Sequence, residues 1–376
     1  MKAQGFIASR LRFKGKLAVV AIAVSFFVMI ISLAISAGFR REIRSGISAM
    51  SGDIRLSGSE EPISTRPSYI GKMESLPGVK SITPVIWKPA IVKGPDDISG
   101  VLVKGVPMPD SCSLQAQIPA RLAAKLQLSE GDGFTAWFVE DKVRARKFTV
   151  SDIYEGMIDS DETLTIIVPL ADMQRLCGWD SGQAGALEVL LKNPDAADNT
   201  AFEMSVISYG NHKEEEDILM ASTARARYPQ LFDWLDLIDV NVLAIIMLMI
   251  VVAGFNMISG LLILLFRNIS TIGMLKSLGM GNRAIAGVFM RVAARIVAVG
   301  MLIGNAAALL FCLVQGSTHL IKLNPANYFV SFVPVSVNPV TVLLVDGLAF
   351  GAIMLLLLIP TLFISRVDPA ETVRVK

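Results

Sequence analysis

The sequence predicts a membrane protein with four transmembrane helices and a large α+β extracytoplasmic domain inserted between helices 1 and 2. Hydrophobic residues make up 53% of the chain and its mean hydropathy is +0.56, which is too apolar for an ordinary soluble domain. A bilayer core about 30 Å thick needs roughly 20 helical residues. Four stretches meet that length, the third at its short end: Leu17–Ala37, Val240–Phe266, Ile296–Val314 and Val340–Ile364.

The net charge of +2 is unevenly distributed along the chain. Residues 40–235 carry 21 Lys and Arg against 28 Asp and Glu, whereas the rest of the chain carries 14 against 5. Basic residues in short loops mark the cytoplasmic side of a membrane. We therefore expect both termini and residues 267–283 to be cytoplasmic, and the acidic domain and residues 315–339 to lie outside. Arg40 and Arg41 fall on the outer side, where we expect them to reach lipid headgroups.

Residues 1–38 are expected to form the cytoplasmic N-terminus and helix 1. This helix is expected to stay in the mature chain. Its basic start also suits a cleaved signal peptide, but its apolar run exceeds the usual core of about 7–15 residues. An apolar stripe at helical spacing predicts that the helix continues as a stalk up to Ser51-Gly52-Asp53: Phe39, Ile43, Ile47 and Met50. A returning stalk before helix 2 is predicted from Leu231, Trp234, Leu235 and Ile238.

Residues 39–239 are predicted to hold both stalks and the α+β domain, as one unit or two subdomains. Val79–Val92 has strand character, and Pro84 and Pro89 should restrict it to sheet edges or bulges. Phe134–Val139 and Arg144–Tyr154 are predicted to form a strand pair. Short helices are predicted at Tyr69–Leu76, Ala120–Leu128 and Ala171–Cys177.

No catalytic, metal-binding or cofactor-binding residues are predicted in this chain, and no nucleic-acid partner. The ATP-binding pattern GxxxxGK[ST] is absent, because both Gly-Lys pairs precede apolar residues: Gly15-Lys16 and Gly71-Lys72. His212 and His319 are far apart and lack metal-ligating neighbours, and neither HExxH nor GxSxG occurs. Cys112 and Cys177, both in the outer domain, are either a disulfide or two thiols.

Polar residues interrupt the apolar stretches at a few positions. Asp346 is a functional candidate, because carboxyl groups are rare in membrane helices; a hydrogen-bonded or water-facing residue is the alternative. Asn256 and Asn305 are expected at helix–helix contacts. Pro360 is expected to kink helix 4 near its inner end.

Residues 267–289 read RNISTIGMLKSLGMGNRAIAGVF and predict a short amphipathic helix between helices 2 and 3. Gly279 is expected to end this helix and Asn282 to cap the next one. From the residues alone, two hypotheses stay open. The helix lies among lipid headgroups, or it docks onto a cytoplasmic protein.

The segment IGMLKSLGMGNRAI resembles the coupling-helix motif of FtsX-like and MacB-type ABC transporter permease subunits. The family pattern is roughly E-I-G-I-L-K-A-L-G-A, followed by a basic residue and an apolar pair. Thr271 stands where the family usually has Glu. The expected coupling residues are Ile272, Gly273, Met274, Leu275, Lys276, Leu278 and Gly279.

The resemblance covers nearly the whole chain, since one span, a large outer domain and three further spans form the family's topology. The segments GVKSITPVIWKPAIVKG, GVLVKGV, AAKLQLSEGDGFTAWF and ISRVDPAETVRVK also look like the family. Residues 327–338, NYFVSFVPVSVN, are similar to the lipoprotein-releasing (Lol-type) branch.

The resemblance implies a non-catalytic permease of the inner membrane that works by mechanotransmission. Two such subunits, identical or different, would each bind a cytoplasmic ABC ATPase, and that ATPase would bind ATP and Mg²⁺. The coupling helix carries over to about Thr271–Met280, and Glu371 is a second expected ATPase contact. The Lol-type branch further implies lipoprotein cargo and a periplasmic lipoprotein chaperone.

The cargo would pass along an apolar path between helices 1 and 2. Met side chains adapt to irregular ligands, and Phe adds apolar surface. Packing against other helices or lipid is the alternative for each candidate: Phe26, Phe27, Met29, Phe255 and Met257.

Two related functions stay open. The chain is alternatively the permease of a tripartite efflux system for small molecules or peptides, or an FtsX-like subunit that signals to a periplasmic cell-wall hydrolase. The remaining predicted boundaries are helix 2 at 240–266, the coupling helix within 267–283, helix 3 at 284–314, the outer loop at 315–339, helix 4 at 340–364 and the C-terminus at 365–376.

Overall fold

The computed structural model describes residues 16–361, except 95–96, 140–142, 156–163, 214–215, 325–327 and 329. The described chain forms two compact units. One gathers four helices that are long and apolar enough to cross a membrane, and the other gathers Arg41–Asp233 with Lys322–Phe332. The predicted fold class is confirmed, because the α+β domain is inserted between the first and second of these helices.

The helices, numbered in chain order, are α1 (Lys16–Ser51), α2 (Ile70–Glu74), α3 (Ala120–Leu126), α4 (Leu170–Cys177), α5 (Ala197–Asn211), α6 (Ala224–Arg227), α7 (Pro229–Arg267), α8 (Ile269–Ser277), α9 (Asn282–Thr318), α10 (Pro339–Leu356) and α11 (Leu358–Thr361). The strands are β1 (Ile54–Ser57), β2 (Ile63–Ser64), β3 (Val79–Lys93), β4 (Ile98–Val106), β5 (Gln115–Pro119), β6 (Gly133–Val139), β7 (Val143–Tyr154), β8 (Thr165–Pro169), β9 (Gln183–Ala184), β10 (Ala186–Leu191) and β11 (Met220–Thr223).

Helices α1 and α7 have 36 and 39 residues, more than a bilayer requires, so each includes a stalk. On the α1 stalk, Phe39, Ile43 and Ile47 are buried, as the apolar stripe predicted. Helix α1 ends at Ser51, and Gly52 follows with φ +66°, the left-handed conformation that commonly ends helices.

The fourth membrane helix is broken near its C-terminal end. Helix α10 ends at Leu356, and α11 begins at Leu358 and contains Pro360. A proline lacks the N–H that would bond to the carbonyl four residues earlier, and its ring clashes with that carbonyl. That carbonyl belongs to Leu356, so the predicted kink lies where α10 stops.

Nine strands form one sheet in the order β11-β1-β10-β3-β4-β8-β5-β7-β6, while β2 and β9 pair separately. Strand β6 also pairs with β3 at Ala90–Val92, which closes six strands into a barrel. The barrel core is apolar and includes Phe134 and Phe148, whose ring centroids are 6.0 Å apart. These two residues belong to the strand pair that the sequence predicted.

A second core lies beside the barrel, where β1, β10 and β11 pack with α2 and α5 around Tyr69 and Met204. Strand β3 serves both cores, because its first part pairs with β10 and its second part with β4. Pro84 and Pro89 each lie where β3 has one paired neighbour, so each meets the predicted edge condition.

Two glycines allow helices α9 and α1 to approach closely. A Cβ atom on Gly304 would lie 2.4 Å from the Ala23 carbonyl oxygen, and one on Gly300 would lie 2.7 Å from Ile22 Cγ2. The spacing is Gly-xxx-Gly, which brings helix backbones together in membranes. The membrane helices share one apolar core, here called the bundle core. Its buried members are Ile22, Phe26, Met29, Ala253, Met257, Leu261, Leu264, Leu265, Ile272, Ile285, Val288, Phe289, Val292, Ala293, Val297, Ala349, Ile353 and Leu357.

Helix α5 is absent from the sequence predictions. Thr200, Ala201 and Met204 are buried on one face, but Phe202 is 72% exposed. The apolar residues of α5 therefore lie on its exposed side as well as on its buried side. The sequence does not show the single apolar stripe by which an amphipathic helix is recognised.

Candidate functional site

Helix α8 ends in a hydrogen-bonded turn that fixes the loop between the second and third membrane helices. Gly279 has φ +85°, and its N–H donates to the Lys276 carbonyl, while the Met280 N–H donates to the Leu275 carbonyl. This pair of bonds is a Schellman motif, so Gly279 ends the helix as predicted. The expectation that Asn282 caps the next helix is wrong, because Asn282 is its first residue and Gly281 occupies the cap position.

One face of α8 is anchored to the membrane helices. Ile272 is 1% exposed and belongs to the bundle core, and Gly273 is buried beside it. Leu275 and Met280 are half-buried and pack against the same core. Because that core contains side chains from α1, α7, α9 and α10, a force applied to α8 acts on all of them.

Away from the anchored face, two large apolar side chains are exposed, Met274 in α8 and Leu278 directly after its last residue. We call these two residues the apolar knob. Met274 is 61% exposed and Leu278 is 77% exposed. The two are four residues apart and therefore lie on one face of the turn. Thr271 is exposed one turn before Met274, and Lys276 is half-buried. Exposed apolar pairs at this spacing fit a hydrophobic groove of a partner protein.

The structure does not bring the five cargo-path candidates together on one surface. Phe26, Met29 and Met257 are almost fully buried in the bundle core. Phe27 stacks edge-on against Phe311, with ring centroids 6.4 Å apart, and Phe255 is 66% exposed. The burial of three candidates fits helix packing, which was the alternative to a path.

The two stalks are joined by a polar cluster at their bases. The Arg40 guanidinium donates to the carboxylates of Asp236 and Asp239, and Ser36 Oγ donates to Asp239 Oδ1 at 2.5 Å. The expectation that Arg40 reaches lipid headgroups is therefore wrong, because α7 supplies its counter-charges. The ring of Phe39 packs edge-on against that of Trp234, with centroids 5.9 Å apart, as expected for a returning stalk that packs on the first.

A buried cluster of charges receives the end of α1 inside the outer domain. Lys104 Nζ donates to the Met50 carbonyl at 2.5 Å and to Glu188 Oε2 at 2.7 Å. The Arg227 guanidinium donates to the carbonyls of Ser51 and Gly52 at 2.8 and 2.7 Å. The last carbonyls of a helix lack intrahelical partners and carry partial negative charge, so two cations stabilise this end.

Burial sets the electrostatics of this cluster. Burial lowers the pKa of Lys104, and the Glu188 carboxylate opposes that change. Burial also lowers the pKa of Arg227 to about 10, with a further contribution from the nearby Arg55 guanidinium. Glu188 accepts from Trp87 Nε1 at 2.8 Å and from Arg55 at 3.4 Å, so its carboxylate is well supplied with donors.

Lys104, Glu188 and Arg227 were missed by the sequence predictions. A signal was present, because Lys104 lies in the apolar strand GVLVKGV and Glu188 in ALEVLL. A charged residue in a strand that is otherwise buried requires a partner. Which partner it has depends on the pairing of distant strands.

The remaining predicted site residues are the second ATPase contact and the two cysteines of the outer domain. Glu371 and residues 365–376 lie outside the described residues. Within the described residues, no disulfide joins Cys112 and Cys177, and no group of three His, Cys, Asp or Glu is arranged to hold a metal ion.

Comparison with protein families matches two parts of the chain. Residues 17–207 match the MacB-like periplasmic core domain, and residues 243–369 match the FtsX-like permease C-terminal domain. The first match covers α1 and most of the outer domain, and the second covers α7 from its membrane part onward, including α8 with the apolar knob.

Two curated proteins are similar along nearly their whole length. The lipoprotein-releasing system transmembrane protein LolC of Xylella fastidiosa is 23% identical over 98% of this chain and 95% of its own. The lipoprotein-releasing system transmembrane protein LolE of Haemophilus influenzae is 22% identical over 95% of this chain and 93% of its own. Among solved structures, the extracellular domain of the ABC-type transporter YknZ from Gram-positive bacteria covers 45% of this chain and 99% of its own, with 13% identity and a TM-score of 0.31.

Proposed function

The chain belongs to the MacB- and FtsX-like family of ABC transporter permeases, and from this premise we propose that it is the membrane subunit of a lipoprotein-releasing transporter. The observation that supports the proposal most directly is the similarity to LolC and LolE over nearly the full length of all three proteins. The cargo is a lipoprotein of the inner membrane, and the product is handed to a periplasmic lipoprotein chaperone. A second permease subunit, identical or different, completes the membrane part.

Energy comes from a separate cytoplasmic ATPase that holds ATP and Mg²⁺. The apolar knob of Met274 and Leu278 enters a groove on that ATPase, because both side chains are exposed on one side of the last turn of α8. The buried face of α8 is fixed to the bundle core, so movement of the ATPase displaces the membrane helices together. Because that ATPase is cytoplasmic, α8 and both termini lie in the cytoplasm, and the α+β domain lies in the periplasm.

Movement then passes along the stalks. Helices α1 and α7 each continue without interruption from a membrane span into a stalk. The end of α1 is held by Lys104 and Arg227, so displacement of the stalk acts directly on β4 and α6. Release of a lipid anchor requires such work, because each buried CH₂ group of an acyl chain contributes about 0.8 kcal/mol to membrane binding.

The proposal is tested by purifying the full chain in mild detergent with its co-expressed neighbouring genes. We expect an ABC ATPase and acylated lipoproteins to co-purify, identified by mass spectrometry. An ATPase with an efflux adaptor or a cell-wall hydrolase, and no lipoprotein, would move the function to one of the two alternatives. The absence of any ATPase would contradict the role of α8.

Docking by the apolar knob is tested with Leu278→Asp. A carboxylate in an apolar groove loses its hydration without gaining a partner. We expect at least a tenfold loss of bound ATPase, about 1.4 kcal/mol of binding free energy. The matched control is Ser277→Asp, which adds the same charge at an exposed neighbouring position of the same turn. Equal loss in both variants would show a charge effect on the loop and not docking by Leu278.

A further inference from the structure

Asp346 of α10 and Asn305 of α9 meet inside the bundle of membrane helices. Asn305 Nδ2 donates to Asp346 Oδ2 at 2.5 Å, and Asp346 is 6% exposed. Apolar side chains lie one helical turn away on both sides, with Ala308 and Val342 in one buried cluster and Ala349 in the bundle core. The alternative of a water-facing Asp346 is therefore wrong, and the hydrogen-bonded alternative is correct.

Two oxygens of this contact lack donors. Asp346 Oδ1 and Asn305 Oδ1 are both buried, and neither has a hydrogen-bond partner among the described residues. A carboxylate has no hydrogen to donate, and an amide oxygen only accepts. Buried polar atoms are nearly always hydrogen-bonded, so the contact is short of one hydrogen.

The apolar stretches of the sequence supply no cation that could balance a negative charge on Asp346. Asp346 is the only Asp, Glu, Lys or Arg in the four apolar stretches of the sequence. The basic residue before the third stretch is Arg295, ten positions from Asn305 and thus roughly 15 Å away along the helix axis. An unpaired carboxylate surrounded by apolar side chains is strongly disfavoured.

We propose that Asp346 is a proton-binding site and that its carboxyl group is protonated in the folded protein. The O–H on Oδ1 donates to Asn305 Oδ1, while Asn305 Nδ2 donates to Asp346 Oδ2. One proton thus supplies the missing hydrogen, satisfies both orphan oxygens and removes the charge. The result is a neutral acid–amide pair with two hydrogen bonds that joins the third and fourth membrane helices.

Infrared spectroscopy tests the protonation state directly. We compare the full-length wild-type chain and Asp346→Asn in lipid nanodiscs at neutral pH. We expect the wild type to show the C=O stretching band of a carboxylic acid, and the variant to lack it. If the substitution instead removes a carboxylate band, Asp346 is ionised and the proposal is overturned.

A second measurement does not depend on that variant alone. In Asn305→Leu the acid remains but loses its partner, so its C=O band should shift to higher frequency. Asp346→Asn keeps both hydrogen bonds, because its amide N–H replaces the acid O–H, and we expect its melting temperature to match the wild type. Asp346→Leu loses both bonds and should melt lower. Equal destabilisation by Asn and Leu at position 346 would contradict a neutral pair.

Discussion

Buried cations hold the end of α1 in the outer domain. One of them, Lys104, forms a buried ion pair with Glu188. The substitution Lys104→Met removes the donor to the Met50 carbonyl and leaves Glu188 buried with fewer donors. Loss of one partner of a buried ion pair costs about 3–5 kcal/mol. We expect the lower end of that range, because Arg55 and Trp87 still contact Glu188. Denaturant unfolding of the purified chain measures the change.

The matched control is Lys88→Met, which breaks the ion pair with Glu61. The Glu61 side chain is 43% exposed, so water screens this pair. Partly exposed ion pairs contribute at most about 1 kcal/mol, and we expect a correspondingly small loss of unfolding free energy. A loss as large as that of Lys104→Met would contradict the importance of burial.

Glu216 provides a pH-dependent contact in the same domain. Its carboxylate accepts from the Ser68 N–H at 2.9 Å and from Ser68 Oγ at 2.6 Å, and these bonds lower the pKa of Glu216 below its ordinary 4.5. The stabilisation is therefore fully present above pH 4.5 and is lost as the pH falls through the lowered pKa of the folded state. Limited proteolysis near Ser68 should increase with acidification in the wild type.

Glu216→Gln is the control for this effect, because an amide keeps an acceptor but does not titrate. We expect cleavage near Ser68 in this variant to show no added acid sensitivity. Parallel acid profiles for the two proteins would assign the sensitivity to other groups.

Individual side chains were only partly predictable from the sequence. The left-handed residue after α8 was predictable because Gly279 satisfies a local backbone requirement. The counter-charges of Arg40 were not, because Asp236 and Asp239 come from the far end of the inserted domain. Local backbone conformation depends on neighbouring residues in the sequence, whereas ion-pair partners depend on the tertiary fold.

Among the elements, α9 depends on glycine where it crosses α1. Alanine at position 304 would place its Cβ 2.4 Å from the Ala23 carbonyl oxygen, so one backbone would have to move. Overpacking of this kind costs about 1–3 kcal/mol. We expect Gly304→Ala to lower the thermal unfolding temperature in detergent.

Gly347→Ala in α10 is the matched control, because a Cβ there meets no atom within 4 Å. Alanine is a better helix former than glycine by roughly 1 kcal/mol, so this variant should be neutral or slightly more stable. A loss of stability in both variants would point to a general need for glycine in the membrane helices and not to the crossing.

Element prediction succeeded where the apolar period was clear and failed where it was not. The stalk on α1 followed from buried residues at regular helical spacing, such as Ile43 and Ile47. Helix α5 was missed because Phe202 and Tyr209 are exposed although they are aromatic. The outer face of α5 obscures the pattern that its buried face obeys.

On the scale of the whole molecule, a contact between the bases of the two stalks joins the chain before the inserted domain to the chain after it. Ser36 and Asp239 are hydrogen-bonded at its two ends, so cysteines at these positions should be close enough to join. In a chain without its three native cysteines, we expect Ser36→Cys with Asp239→Cys to form an intramolecular disulfide under mild oxidation, detected by peptide mass spectrometry. Ser36→Cys with Val240→Cys is the control, because Val240 is 63% exposed. Equal cross-linking in both pairs would contradict a fixed contact.

The four-span layout was predictable because a bilayer dictates both the length and the polarity of a helix. Closure of the barrel was not, because it depends on the pairing of Ala90 with Phe138 across two intervening strands of the chain. No periodicity within β3 or β6 specifies such a partner.

The position of β1 also has a consequence for how the protein is made. This strand is synthesised soon after α1, but its neighbours arrive much later, since Ile54 lies opposite Val189 of β10 and Thr223 of β11. One edge of the nascent strand therefore stays without a partner until β10 has been made, and the other edge until β11 has left the ribosome. Unpaired strand edges are templates for association with other chains. We expect truncated products that stop before Met220 to aggregate more than those that continue past Thr223, which pulse-labelling of ribosome-bound intermediates would reveal.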